Sequence, residues 1–168
     1  MIDIKKLKKL EQILGVAFTD KQYLLSAMTH RSFLNENRDA TQSHNERLEF
    51  LGDAVLELVV TDFLYKTYPD KQEGELTAIR AALVNTHTLS LIATQLGINE
   101  YLLLSKGEAK DIGRARQYIL ANVFESIIGA IYLDQGYTAA RDFVARELFP
   151  LTTDFVEKRL WQAPKSLF

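Results

Sequence analysis

The side chains best suited to chemistry in this sequence are carboxylates. Glu46, Glu49 and Asp53 recur at spacings of three and four. On a helix at about 100° per residue they fall within about 60° of one another. Like charges at those spacings repel, and the cost grows with burial. Leu48, Leu51 and Val55 flank them, which predicts partial burial. Between residues 44 and 62 five acids (Glu46, Glu49, Asp53, Glu57, Asp62) face a single base, Arg47. A divalent cation would balance such a cluster, because Mg2+ takes oxygen ligands and keeps several waters. The plainer expectation is a solvated acidic helix face. Gly52 argues against it. A glycine inside a helix costs about 1 kcal/mol relative to alanine. Its use there predicts the close approach of another helix or of a ligand.

A second polar pair, Asn122 and Glu125, lies in the apolar run Ile119–Leu133. The two are three residues apart and share a helix face with Gly129, which would permit a tight crossing. Apolar residues cover nearly the whole circumference of this run, so the helix is expected to be buried. A glutamate that deep is rarely unpaired. One expectation is a single buried hydrogen bond or ion pair, for example to Arg47. The other is that Glu125 faces Glu49 and Asp53 across two crossing helices and completes an oxygen-lined metal site.

The elements that would position these groups read as helical throughout. Leu7, Leu10 and Leu14 mark a first helix ending at Gly15, and Tyr23, Leu24, Ala27 and Met28 a second. A long helix is expected from Ser43 to Tyr68, stopped by Pro69. Further helices are expected around Leu76–Leu83, over Leu89–Leu96 before Gly97, over Tyr118–Leu133, over Ala139–Leu148 and over Leu151–Leu160. The polar segment Ser105–Gly113 reads as a loop. No useful alternation of apolar and polar residues suggests a strand, so the class is all-α. The segment Gln162–Phe168 departs from the helical pattern and reads as a linker.

Composition bounds the rest. The chain has 168 residues, 47% hydrophobic and 25% charged, which suits one globular domain. It has no cysteine, excluding disulfide scaffolds, thiol catalysis and cysteine-ligated metals. No apolar run is long enough for a membrane span, and the start carries no signal peptide, so the expected location is the cytoplasm. The formal net charge of −2 argues, on its face, against a nucleic-acid partner.

The motifs argue the other way. The run Asn45-Glu46-Arg47-Leu48-Glu49-Phe50-Leu51-Gly52-Asp53-Ala54-Val55-Leu56 resembles the signature helix of ribonuclease III, the double-stranded-RNA endonuclease. Thr29-His30-Arg31-Ser32, Glu73-Gly74-Glu75-Leu76-Thr77, Gly107-Glu108 with Arg114, and Phe124-Glu125 through Asp134 resemble other stretches of that family. The likeness runs over about residues 5 to 160.

This resemblance implies an all-α endonuclease domain over residues 1–160 that works as a homodimer. Residues 161–168 would be a linker toward an absent double-stranded-RNA-binding domain. It implies cleavage of double-stranded RNA in rRNA and mRNA processing, leaving 5′-phosphate and 3′-hydroxyl ends. The cofactor would be Mg2+, with Mn2+ as a substitute, and no small-molecule cofactor or membrane is implied. Glu49, Asp53, Asn122 and Glu125 match the catalytic, metal-binding positions. Glu46 and Glu73 match auxiliary acids, and Phe50 an apolar residue at the subunit interface, although a core aromatic would read the same way. Lys106, Lys110, Arg114 and Arg116 are the expected phosphate contacts. The lysines Lys5, Lys6, Lys8 and Lys9 read instead as the solvated side of the first helix, and the three histidines as structural hydrogen-bonders.

One position departs from the family pattern. Asn122 stands where an aspartate is usual, keeping a carbonyl oxygen and losing a charge. Weaker Mg2+ binding is expected. Natural variation with retained activity, engineered inactivation and a natural pseudo-enzyme are all compatible with it. The alternative function is therefore a weakened or silent double-stranded-RNA-binding protein.

Overall fold

The computed structural model of the chain describes residues 2–158. Among these residues there are ten α-helices: α1 Ile4–Leu14, α2 Lys21–Ala27, α3 Arg31–Glu36, α4 Glu46–Thr67, α5 Glu73–Val84, α6 Thr86–Gln95, α7 Lys106–Lys110, α8 Arg114–Gln135, α9 Tyr137–Leu148 and α10 Pro150–Glu157. A single 3₁₀ turn occupies Ile98–Tyr101. Among the described residues the only β contact is one parallel bridge between Thr29 and Leu103. The expected linker at 161–168, and the end of the helix expected to reach Leu160, lie outside the described residues.

The helix boundaries follow from local chemistry. Asp3 caps α1, its carboxylate accepting the Lys6 amide at 2.8 Å. Gly15 ends α1 at φ 68°, a left-handed conformation that costs glycine little. Pro69 follows Tyr68, the C-cap of α4, and Pro150 opens α10 at its first turn.

Three elements differ from the sequence expectation. The segment 105–113 contains α7, because the Ser105 hydroxyl accepts the Glu108 amide at 3.1 Å and starts a helix of five residues. The helix α3 is also extra, started by the His30 ring, which accepts the Ser32 amide at 3.2 Å. Helix α8 begins four residues earlier than its apolar pattern, at Arg114.

The core is built around α4 and α8, each 22 residues long. Leu56, Val60, Val123, Phe124, Ile127, Ile128 and Ile131 are fully buried along their contact and its flanks. Phe143 of α9 packs on Phe124, ring centroids 5.6 Å apart. Between α4 and α8 the two glycines meet. A Cβ at Gly52 would lie 1.7 Å from the Glu125 carbonyl oxygen, and one at Gly129 would lie 2.4 Å from the Leu48 carbonyl oxygen. Only glycine at both positions lets the two backbones come this close. The expectation drawn from Gly52 and Gly129 is met as a helix–helix crossing.

Candidate functional site

The crossing sets the site. Because the Gly52 backbone sits against the Glu125 backbone, Asp53 on α4 and Glu125 on α8 are brought together. The Glu125 carboxyl is pushed up to about 9. Burial is the largest cause, followed by a hydrogen bond to Asp53 and the negative charges of Asp53, Glu49 and Glu57. At neutral pH Glu125 therefore holds its proton and donates it in a hydrogen bond to the Asp53 carboxylate. Glu49 is also raised, by burial and then by the charges of Glu46 and Asp53.

Among the described residues no basic side chain pairs with Glu49, Asp53 or Glu125. Arg47 is exposed and makes no ion pair among the described residues, so the expected Arg47–Glu125 bond is absent. Arg80 of α5 is engaged one turn away, 3.1 Å from Glu57 and 2.9 Å from the Thr61 hydroxyl. Three carboxyls with one shared proton and no cation partner form an oxygen donor set that suits a hard divalent ion. Among the described residues no three acidic or histidine groups are already drawn into ligand spacing.

Asn122 is half-buried on the same face of α8 as Glu125. Its side chain has no hydrogen-bond partner among the described residues, and it borders a cavity of about 70 Å3. His30, Arg31, Asn45, Glu46, Glu49 and Ile119 line that cavity together with Asn122. The volume holds several waters. The wall is fixed from behind. The Asn45 amide donates to the Thr29 carbonyl at 3.0 Å, and the Asn45 side chain donates to the Ala27 carbonyl at 3.1 Å. The Ser126 hydroxyl lies 3.1 Å from the Asn45 carbonyl and 2.8 Å from the Asn122 carbonyl, tying the start of α4 to α8.

Two auxiliary acids are placed differently. Glu46 borders the cavity and pairs with Arg31 at 3.4 Å. Glu73 is exposed in the first turn of α5 and makes no polar contact with the cluster. Phe50 is 84% exposed, which excludes the core-aromatic reading. Leu58 and Tyr65 are also exposed on α4, at 57% and 73%, so the helix presents an apolar stripe at helical spacing.

The four expected phosphate contacts separate into two kinds. Lys106, Lys110 and Arg114 are exposed on α7 and at the start of α8. Arg116 is only 8% exposed. Its guanidinium donates to Asn99 at 2.7 Å and to the carbonyls of Glu108 and Ala109 at 3.0 and 3.1 Å. This corrects the expectation for Arg116, whose buried guanidinium ties α7 and the 3₁₀ turn to α8 instead of facing a ligand.

His30 and Arg31 border the site although sequence reasoning gave them no place in it. The His30 amide donates to Leu103 at 3.0 Å, and its Nδ1 lies 2.7 Å from the Ser32 hydroxyl. That hydroxyl accepts the Ser105 amide at 2.9 Å, so the segment links the cavity to α7. Burial lowers the His30 imidazole pKa below its usual value. The motif Thr29-His30-Arg31-Ser32 carried the available signal.

Known proteins share this sequence pattern and fold. A family model described as Ribonuclease-III-like matches residues 20–151. Ribonuclease 3 from Geobacillus sp. (strain WCH70) is 48% identical over 145 residues, covering 86% of this chain and 59% of the relative. Ribonuclease 3 from Pelotomaculum thermopropionicum is 46% identical over 155 residues, covering 92% and 64%. The chain thus spans about three fifths of the length of such relatives. Among solved structures, a nuclease domain of ribonuclease III from Campylobacter jejuni superposes with a TM-score of 0.77 at 41% identity, covering 86% of this chain and 99% of that one. That structure concerns flexibility in a region involved in dimer formation. A Dicer from Pichia stipitis superposes at 0.63 with 27% identity, covering 86% and 61%. The acidic helix, the helix that crosses it and the match along most of the sequence agree: this chain belongs to the ribonuclease-III-like family.

Proposed function

We propose that this chain is the nuclease unit of a metal-dependent endoribonuclease that cuts double-stranded RNA, leaving 5′-phosphate and 3′-hydroxyl ends. The observation that carries the proposal is the meeting of Glu49, Asp53 and Glu125 without a basic partner among the described residues, with the Glu125 carboxyl pushed up to about 9. A structural ion-pair network would have brought a cation of its own. A site for a divalent cation keeps its negative charge for the incoming ion.

Glu49, Asp53, Glu125 and the Asn122 carbonyl oxygen are the groups that would hold Mg2+, or Mn2+ in its place. When bound, the ion supplies the positive charge that lowers the cost of the phosphorane-like transition state. The chain's own residues do the rest. Glu125 gives up its proton as the ligand set forms, and Glu49 and Asp53 keep that set oriented. Arg31 holds Glu46 at the cavity mouth. Lys106, Lys110 and Arg114 take phosphates of the duplex, which is recognised by shape and 2′-hydroxyls more than by base. Glu73 remains an auxiliary acid in this reading.

The protein would act as a homodimer, with Phe50, Leu58 and Tyr65 facing the second subunit. Their exposure on one helix supports this, as single scattered apolar residues would not. Residues 1–160 are assigned to the nuclease unit and 161–168 to a linker toward a double-stranded-RNA-binding domain, supported by the greater length of the relatives. The substrates would be rRNA and mRNA precursors in the cytoplasm. No helix of the described residues is long and apolar enough to cross a membrane.

Asn122 favours one second reading, a silent double-stranded-RNA binder. Incubation of a long duplex RNA with the protein and Mg2+ or Mn2+ separates the two. Cutting by the unmodified chain that is lost in Glu125→Ala supports the nuclease. Binding without cutting, with cutting restored in Asn122→Asp, supports the silent binder.

A further inference from the structure

From Ile119 to Ile131, helix α8 buries every residue except Asn122 and Glu125. The row they form does not start with them. Tyr118 lies four residues before Asn122 and seven before Glu125, and Arg114 lies one turn earlier still. At about 100° per residue all four fall within an arc of about 80°. Arg114 is exposed, and Tyr118 is 53% exposed with no hydrogen-bond partner for its phenol among the described residues. The row therefore runs for roughly 16 Å along the helix, from Arg114 at the end tied to α7 by Arg116 to the acid cluster.

An RNA strand held by phosphate contacts at Arg114 and cut at Glu125 must pass over Tyr118. The phenol is an unusual group to leave in that path. It is large, uncharged and neither paired nor packed away. Its hydroxyl can donate one hydrogen bond and accept another, the pairing that a ribose 2′-hydroxyl, itself donor and acceptor, can return in both directions. Its neighbours in the row are polar, so the face does not suit an apolar protein partner.

We infer that the Tyr118 hydroxyl hydrogen-bonds a ribose 2′-hydroxyl of the nucleotide next to the scissile phosphate and so contributes to selecting RNA over DNA. This inference rests on the nuclease reading above. Tyr118 is a substrate contact and takes no part in bond breaking.

The test compares the unmodified chain with Tyr118→Phe on two duplexes. One is all RNA, and the other carries 2′-deoxy nucleotides on either side of the cleavage point. On all-RNA, Tyr118→Phe should lower kcat/KM by about 3- to 10-fold, as expected for one neutral hydrogen bond. On the deoxy duplex it should match the unmodified chain, because the partner hydroxyl is already gone. An equal loss on both duplexes, or no loss on either, overturns the contact and leaves the nuclease reading standing. A changed sedimentation coefficient in Tyr118→Phe assigns the phenol to a subunit contact and overturns it as well. If the unmodified chain cuts no duplex RNA, the nuclease reading falls and this contact falls with it.

Discussion

Gly52→Ala tests the geometry that creates the site. The added Cβ would lie 1.7 Å from the Glu125 carbonyl oxygen, 2.6 Å from its carbonyl carbon and 3.0 Å from the Gly129 nitrogen. All three are backbone atoms, so no side-chain rotation relieves the clash. Opening the oxygen contact from 1.7 Å to the 3.0 Å floor of real Cβ contacts moves one helix by about 1.3 Å. Overpacking of this kind costs about 3 kcal/mol, against a gain of about 1 kcal/mol from the better helix propensity of alanine. The net loss of about 2 kcal/mol lowers Tm by about 4–8 °C for a chain of this size. The same shift separates Asp53 from Glu125, and a misplacement of about 1 Å in a reacting constellation costs about 100-fold in rate. Thermal unfolding and duplex-RNA cleavage measured side by side should show a modest stability loss with a large activity loss. An unchanged Tm together with unchanged cleavage would refute the close-crossing account.

Four further outcomes follow from the same structure. Removing the Arg116 guanidinium in Arg116→Ala deletes three hydrogen bonds from a buried group, costing about 3 kcal/mol. Tm should fall by about 6–12 °C, whereas Lys110→Gln should leave Tm nearly unchanged and weaken duplex binding in a gel-shift titration. Asn122→Asp restores a charge beside the cluster. A unit charge about 4 Å from a cation contributes about 4 kcal/mol per cation charge at an effective dielectric of about 20. Solvent exposure reduces this, so Mg2+ should bind about tenfold tighter by calorimetry, and equal affinity would count against Asn122 as a ligand position. The raised Glu125 carboxyl means that the folded, metal-free protein keeps a proton that the unfolded chain releases above about 4.5. Its contribution to stability is complete below that pH and declines as pH rises toward about 9. Urea unfolding in chelator should show this decline, and Glu125→Gln should flatten it. Phe50→Glu should shift sedimentation from dimer to monomer; an unshifted dimer places the interface elsewhere.

Much of the site was legible because helical geometry is regular. The three- and four-residue spacings of Glu46, Glu49 and Asp53, and the glycines at 52 and 129, fix which faces meet once two buried helices cross. The short elements were not legible in this way. Helix α3 has six residues and α7 has five, too few to show an apolar period. Both are started by side chains outside them, His30 and Ser105. The spacing Ser105-x-x-Glu108 is that of a capping box and was the one available signal for α7. Arg116 misled for a different reason. A cation in a basic segment looks like a solvated one, and only the carbonyls of Glu108 and Ala109 closing around it show that it is a structural tie. The expected Arg47–Glu125 pair failed because Arg47 points away from the crossing that Gly52 makes. The net charge of −2 hides both clusters, since it sums over acids gathered at one helix and bases gathered at α7.

The central claim is that Glu125 and its neighbours form a cation site that cuts RNA. Its most direct test is proton release on adding Mg2+ in weakly buffered solution near neutral pH, followed in the same sample by cleavage of a long duplex RNA. The account predicts release approaching one proton per chain, set by the Glu125 carboxyl held near 9, together with cutting, and loss of both in Glu125→Gln. Cutting that persists in Glu125→Gln, or Mg2+ binding without proton release, would contradict it.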